Sequence, residues 1–198
     1  EFVAGKALEK LQQVAEVAEA VESAVEREPI TIVCSAKGWL RSLKGHQEEN
    51  DKISYREGDR GRFWLHAETT DKLMMFATDG RFFTLDCAKL PGGRGNGEAI
   101  RSFVDLPPEA DIVAMFAHRP GRKLLLASDT GHGFVTSEDD AVAMTRSGKR
   151  VMNVKKEAQV CAFVEGDTVA VIGENRKIII FPLNTRFADD SIKAHLAV

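Results

Sequence analysis

The 198-residue sequence is short of the residues that build covalent or metal frameworks. Its three cysteines, Cys34, Cys87 and Cys161, are odd in number and far apart, with no C-x-x-C pair. This excludes a disulfide framework and a zinc site of ordinary spacing, and the three read as small core residues in a reducing compartment. His46, His66, His118, His132 and His195 have no partner at i+3 or i+4 and no H-E-x-x-H pattern, so no metal centre is expected. Aromatic platforms for bases are scarce, because eleven phenylalanines stand against one tyrosine and two tryptophans. Trp39, Trp64 and Tyr55 lie in strand-like or loop settings and read as packing residues. There is no leader pattern, and no apolar run approaches the roughly 18 residues of a membrane helix, so a soluble, cytoplasmic protein is expected. Gly93-x-Gly95-x-Gly97 lacks both the dinucleotide spacing and the Lys-Ser/Thr of a phosphate loop, which excludes a nucleotide site of either kind. No cofactor is expected in the chain.

A large net charge is also missing: the formal value is −3. The deficit is concentrated at the start, where residues 1–29 carry seven acidic and three basic side chains. The remainder is nearly balanced, so it can bind a polyanion only if its cations are segregated onto one surface.

Residues 4–27 contain no proline or aromatic, and Ala7, Leu11, Val14, Ala18, Val21 and Val25 form one apolar stripe at alternating spacings of four and three. The pattern predicts an N-terminal helix over 1–28, either docked on its own domain or serving as a linker, with a coiled-coil seam as the alternative. From Pro29 onwards the texture changes to short Val-, Ile- and Phe-rich runs broken by Gly, Asp and Asn, an all-β pattern. Apolar runs beginning near 30, 72, 123 and 168 each reach a turn and a second run. The turns centre on Gly38, Gly80, Gly131 and Asn175, which are 42, 51 and 44 residues apart. Hairpins repeated at this period predict a radial repeat over 29–198, in which each small sheet needs neighbours to bury its faces. In the second, Phe83 and Leu85 fall on one face, Phe82 and Thr84 on the other. Each unit reads strand, turn, strand, basic loop, strand, polar corner, strand. The later strands are assigned to Arg101–Leu106 and Ile112–Phe116 in the second unit and Arg150–Val154 and Val160–Val164 in the third, with Arg62–Ala67 as the first unit's counterpart of Arg101–Leu106.

EPITIVCSAKGWLRSLKGH at 28–46, LPGGRGNGE at 90–98 and LLASDTGHGFV at 125–135 resemble, in this order, successive segments of the C-terminal domain of the topoisomerase IV A subunit. The similarity covers about residues 28–187. It implies a β-pinwheel, a propeller-like disc of four-stranded blades that exchange strands, with duplex DNA bound and bent around a basic perimeter. The family disc has five or more blades, whereas four hairpins are present here, so the disc is either truncated or short. The resemblance implies no nucleophile in this region. Its partners would be an upstream breakage-reunion domain and an ATPase B subunit, which would use ATP and Mg elsewhere in the holoenzyme. Gly92–Gly97 is a sparse relative of the basic glycine-rich box of gyrase A, which favours topoisomerase IV over gyrase and bending over wrapping.

Phosphate binding needs cations and backbone N–H groups held on one surface. The candidates recur around the hairpins: Lys37, Arg41 and Lys44; Arg81, Arg94 and Arg101; Arg122, Arg146, Lys149 and Arg150; Arg176 and Lys177. Arg41, Lys44, Arg94, Lys149 and Arg150 lead this set, and Gly92–Gly97 reads as the richest anion-binding loop. A propeller-like protein-interaction module remains the competing reading.

Overall fold

The computed structural model describes residues 26–49, 53–93, 95–173, 178–183 and 194–197. Residues 1–25 of the predicted N-terminal helix and the turn at Asn175 lie outside these residues, and 26–28 carry no helix. The four hairpins are present as β1 (Pro29–Ser35) with β2 (Trp39–Lys44), β4 (Lys72–Ala77) with β5 (Arg81–Asp86), β8 (Lys123–Ser128) with β9 (Gly133–Ser137), and β12 (Thr168–Gly173) with β13 (Ile178–Pro182). Gly38, Gly80 and Gly131 sit at the turns with φ of 79°, 79° and 76°. This is the left-handed region that glycine enters without a Cβ penalty, and it is what makes the turns readable from sequence.

Each hairpin's first strand also pairs antiparallel with a later one: β1 with β3 (Gly61–Glu68), β4 with β7 (Ile112–Ala117), β8 with β11 (Ala158–Phe163) and β12 with β14 (Ala194–Ala197). The fourth strand of the first two sheets comes from the next repeat. β6 (Glu98–Ala99) follows the second hairpin but pairs with β2, and β10 (Lys149–Arg150) follows the third but pairs with β5. The sheet orders are therefore β3-β1-β2-β6 and β10-β5-β4-β7, which is strand exchange between successive blades.

Three strand assignments are corrected. Arg101–Leu106 is not a strand: its first residues lie in a short helix, α1 (Ile100–Phe103). Of Arg150–Val154 only Arg150 is extended in a ladder. Arg62–Ala67 belongs to β3, the counterpart of β7 and not of the exchanged strand. An exchanged strand two residues long has too little length for alternation to mark it.

Blade-to-blade packing explains the near-continuous apolar runs. Leu73, Met75 and Ala77 of β4, with Phe83 and Leu85, join Ile30, Ile32, Cys34 and Leu40 in a core between the first and second sheets. Met74, Phe76 and Phe82 point the other way and meet Phe116, Leu124, Leu126 and Met152. Leu125 and Val169 begin a smaller third core with Val135 and Phe181. A strand buried on both faces loses alternation and reads as LMMFA. Each such Phe or Leu contributes about 1.5–3 kcal/mol on burial. The first sheet's far face, carrying Thr31, Arg41 and Trp64, is covered by the connection between β2 and β3. Thr31 Oγ1 donates to Gly45 O at 2.8 Å and accepts from Gln47 N at 2.8 Å, while Trp64 Nε1 donates to Gln47 O at 2.9 Å.

Candidate nucleic-acid interface

Two loops lead into the exchanged strands, and they are the same element in successive blades. In the first, residues 91–97 run into β6; in the second, residues 142–148 run into β10. Leu40 pairs with Glu98 as Phe82 pairs with Lys149, and Trp39 with Ala99 as Arg81 with Arg150. Both loops close on a glycine of positive φ, Gly97 at 78° and Gly148 at 72°. A Cβ on Gly97 would run into the carbonyl oxygen of Leu40, and one on Gly148 into that of Phe82. Both loops are tethered at the same strand position: Ser42 N donates to Pro91 O at 2.8 Å, and Ala143 N donates to Thr84 Oγ1 at 2.9 Å.

Their charge differs. The third-blade loop and its strand carry Arg146, Lys149 and Arg150 with no acid, whereas the second-blade pair carries Arg94 and Glu98. On charge alone the third-blade loop and strand therefore carry more cations than Gly92–Gly97, the loop expected to be richest for anions. Lys149 and Arg150 are exposed, and the Lys149 side chain has no ion-pair or hydrogen-bond partner among the described residues. Arg150 and Arg81 are directly opposed across the β5–β10 ladder. Arg81 bridges to Asp79 at 3.3 Å and donates to Ser147 O at 2.9 Å; among the described residues Arg150 is held only by a 3.5 Å contact to Asp79 O. Like charges facing across a ladder cost stability unless an anion joins them. Arg146 donates to Ser102 O at 2.8 Å and lies 3.8 Å from Asp105, with 62% of its side chain exposed.

Other candidates divide by what holds them. Lys37 and Lys44 are exposed, with weak contacts to Glu57 O at 3.5 Å and the Glu28 carboxylate at 3.4 Å. Arg101 is engaged with the carbonyls of Pro107, Pro108 and Ala110 at 3.1–3.2 Å. Arg122 is bound into the protein: Nε donates to the fully buried Glu138 at 2.6 Å, and the guanidinium lies 3.9 Å from the centre of the Phe163 ring. Glu138, which opens α2 (Glu138–Ala141), also accepts from Arg119 N at 2.7 Å and contacts His118 Nδ1 at 2.9 Å. Arg94, Arg176 and Lys177 lie outside the described residues.

Arg41 is the main correction. It is 6% exposed, donates to Gly95 O and, at 2.8 Å, to Ser54 O, and lies 5.8 Å from the centre of the Tyr55 ring. A guanidinium spent on internal carbonyls is not free for phosphate. Aligning the repeats on Gly38 and Gly80 places Arg41 on the register of Phe83, a core residue; that alignment was available in the sequence. Trp39 is packed as expected, with the Arg56 guanidinium 3.3 Å from its ring centre. Lys72 was not singled out in the sequence, yet it lines a groove of about 450 Å³ with Lys89, Arg146 and Met144, residues up to 74 positions apart.

Burial pushes the thiols of Cys34, Cys87 and Cys161 up to about 12, so none is a nucleophile near neutral pH. No cluster of three or more His, Cys, Asp or Glu that could hold a metal occurs among the described residues, and no described helix is long and apolar enough to cross a membrane.

Hairpin blades joined by exchanged strands, with a basic loop at the sheet edge, define a pinwheel-type repeat domain. No family model matches the chain. It is 47% identical over 165 residues to the A subunit of DNA topoisomerase 4 from Caulobacter vibrioides, covering 83% of this chain and 22% of that protein. The solved C-terminal domain of Escherichia coli ParC superposes with a TM-score of 0.73 at 31% identity, covering 79% of this chain and 65% of that one. The C-terminal domain of DNA gyrase A shares the fold, with a TM-score of 0.56 at 16% identity, covering 83% of this chain and 59% of that one. The chain belongs to the family formed by the C-terminal domain of the topoisomerase IV A subunit and its gyrase A relatives. It spans about 22% of the length of the Caulobacter protein.

Proposed function

We propose that this chain is the non-catalytic DNA-binding domain of a topoisomerase IV-like A subunit, with residues 29–198 as the binding unit and 1–28 as its connection. It holds duplex DNA along its basic edge and bends it, presenting the transported segment for strand passage, decatenation and relaxation. Strand cleavage, ATP and Mg belong on this reading to the upstream breakage-reunion domain and the ATPase B subunit of a cytoplasmic, nucleoid-associated enzyme. The observation that carries the reading is the Arg81–Arg150 pair opposed across one ladder, with exposed Lys149 and Arg146 beside it. Four cations around two short strands and a turn form an anion site whose charge is only partly met within the protein. Lys44 and Lys37 extend the same chemistry to the first blade.

Titrating the chain with duplex DNA across a salt series tests this. Micromolar-scale or weaker binding is expected, lost at high salt because each phosphate contact releases counterions. Binding that is absent at low salt, or indifferent to salt, overturns the proposal.

A further inference from the structure

The DNA-binding reading leaves Met144 of the basic loop unused. Met144 is 88% exposed, more than any other large hydrophobic residue described. Isolated exposed apolar residues are common and carry little alone. The setting of this one is specific. It forms part of the lining of the groove whose cations are Lys72, Lys89 and Arg146, and whose one acid, Asp86, is paired to Lys89 at 2.6 Å. Its counterpart in the preceding blade is Gly93, where an added Cβ would lie 2.6 Å from the Leu43 side chain and leave no room for a projecting group. The third blade therefore puts an unbranched, polarizable side chain into solvent where the second blade has none, and surrounds it with positive charge.

We propose that Met144 is a wedge that enters the minor groove of the bound duplex and partly unstacks one base step, while Lys72, Lys89 and Arg146 hold the flanking phosphates. This rests on the DNA-binding reading above. Apolar side chains inserted between base pairs kink duplexes, and methionine suits the role because its thioether is flexible and adapts to the gap. The cations supply the phosphate contacts that hold the backbone against Met144. A kink at this loop would localise the bend at the third blade instead of spreading it along the edge.

The test uses the 198-residue chain, duplexes with 2-aminopurine placed at successive flexible TA steps, and end-labelled duplexes whose energy transfer reports the bend. The parent chain is expected to raise 2-aminopurine fluorescence at one step and to shorten the end-to-end distance. Met144→Ala should abolish the fluorescence rise and reduce the bend, with a severalfold loss of affinity and an unchanged salt slope, since no phosphate contact is removed. Met144→Leu should restore both signals. Neutralising Lys149 and Arg150 should instead lower the salt slope. A parent chain that binds and bends DNA without unstacking any step, or a Met144→Ala variant that unstacks as the parent does, overturns the wedge and leaves the DNA-binding reading intact. No duplex binding by the parent chain overturns both.

Discussion

The loops at 91–97 and 142–148 have the same backbone role, with a tether to the same strand position and a glycine pressed against the same carbonyl, but differ in chemistry. The first is small, glycine-rich and gripped from beneath by Arg41; the second carries Arg146, leads into Lys149 and Arg150, and projects Met144. Glycine richness in the first loop thus reports close backbone approach at Gly93 and Gly97, and is a weak sign of an anion site. Cations placed on an equivalent frame are a better sign, because the frame fixes which way they face.

Replacing Arg146, Lys149 and Arg150 together by alanine tests the contrast at its widest. If each makes one phosphate contact, the slope of log affinity against log salt should fall by roughly 0.9 per contact, with about a hundredfold weaker binding at moderate salt. Arg94→Ala should change the slope by about one contact or less. Fluorescence anisotropy across a salt series reads both. Equal losses from the two loops would break the comparison.

Arg41→Ala should act on folding instead. It leaves the carbonyls of Gly95 and Ser54 without their donor, a cost of about 1–3 kcal/mol, visible as a lower denaturation midpoint with an unchanged salt slope per contact. A lowered salt slope without lost stability would return Arg41 to the interface.

What the sequence reveals follows from how local each signal is. The turns at Gly38, Gly80 and Gly131 were legible because positive φ is written in single residues. The opposed faces of Phe82 and Phe83 were legible because strand parity is fixed. The exchanged strands were not, since Glu98–Ala99 and Lys149–Arg150 are too short to carry a pattern and their partners lie in another repeat. Arg41 was misjudged because an arginine inside WLRSLK looks solvent-facing. Its face is closed by the β2–β3 connection, whose residues advertise no such contact. At the equivalent position inside the stack, Phe83 meets the preceding blade; at the end of the described stack, a polar side chain meets a loop. The Met144 groove was invisible for a related reason, since Lys72, Lys89 and Arg146 converge only through the packing of the second and third blades.

The shared frame predicts equal sensitivity where the chemistry predicts difference. Gly97→Ala and Gly148→Ala each force a Cβ into a strand carbonyl at positive φ, so each should destabilise by more than about 1 kcal/mol. Thermal unfolding of the two variants side by side reads this. A loss at one position only would mean that the loops are not equivalent.

The smallest effect concerns the blade junction where Asp71, in the turn between β3 and β4, meets Arg119, in the turn between β7 and β8, at 2.7 Å. Burial alone would raise this carboxyl, but the Arg119 hydrogen bond, that from Glu68 N, and the positive charges of Arg119 and Arg27 outweigh it and hold it below its ordinary value. The folded state therefore binds the proton less readily than the unfolded chain. The stabilisation is full above the unfolded carboxylate value of about 3.9 and is lost as pH falls through the lower folded value. Asp71→Asn should flatten the acid limb of the stability curve, reduce stability modestly near neutral pH, and leave duplex affinity unchanged. Denaturant midpoints between about pH 2 and 7 read the effect. An acid limb as steep as the parent's would remove Asp71–Arg119 from the clasp between blades and leave apolar packing as its sole support.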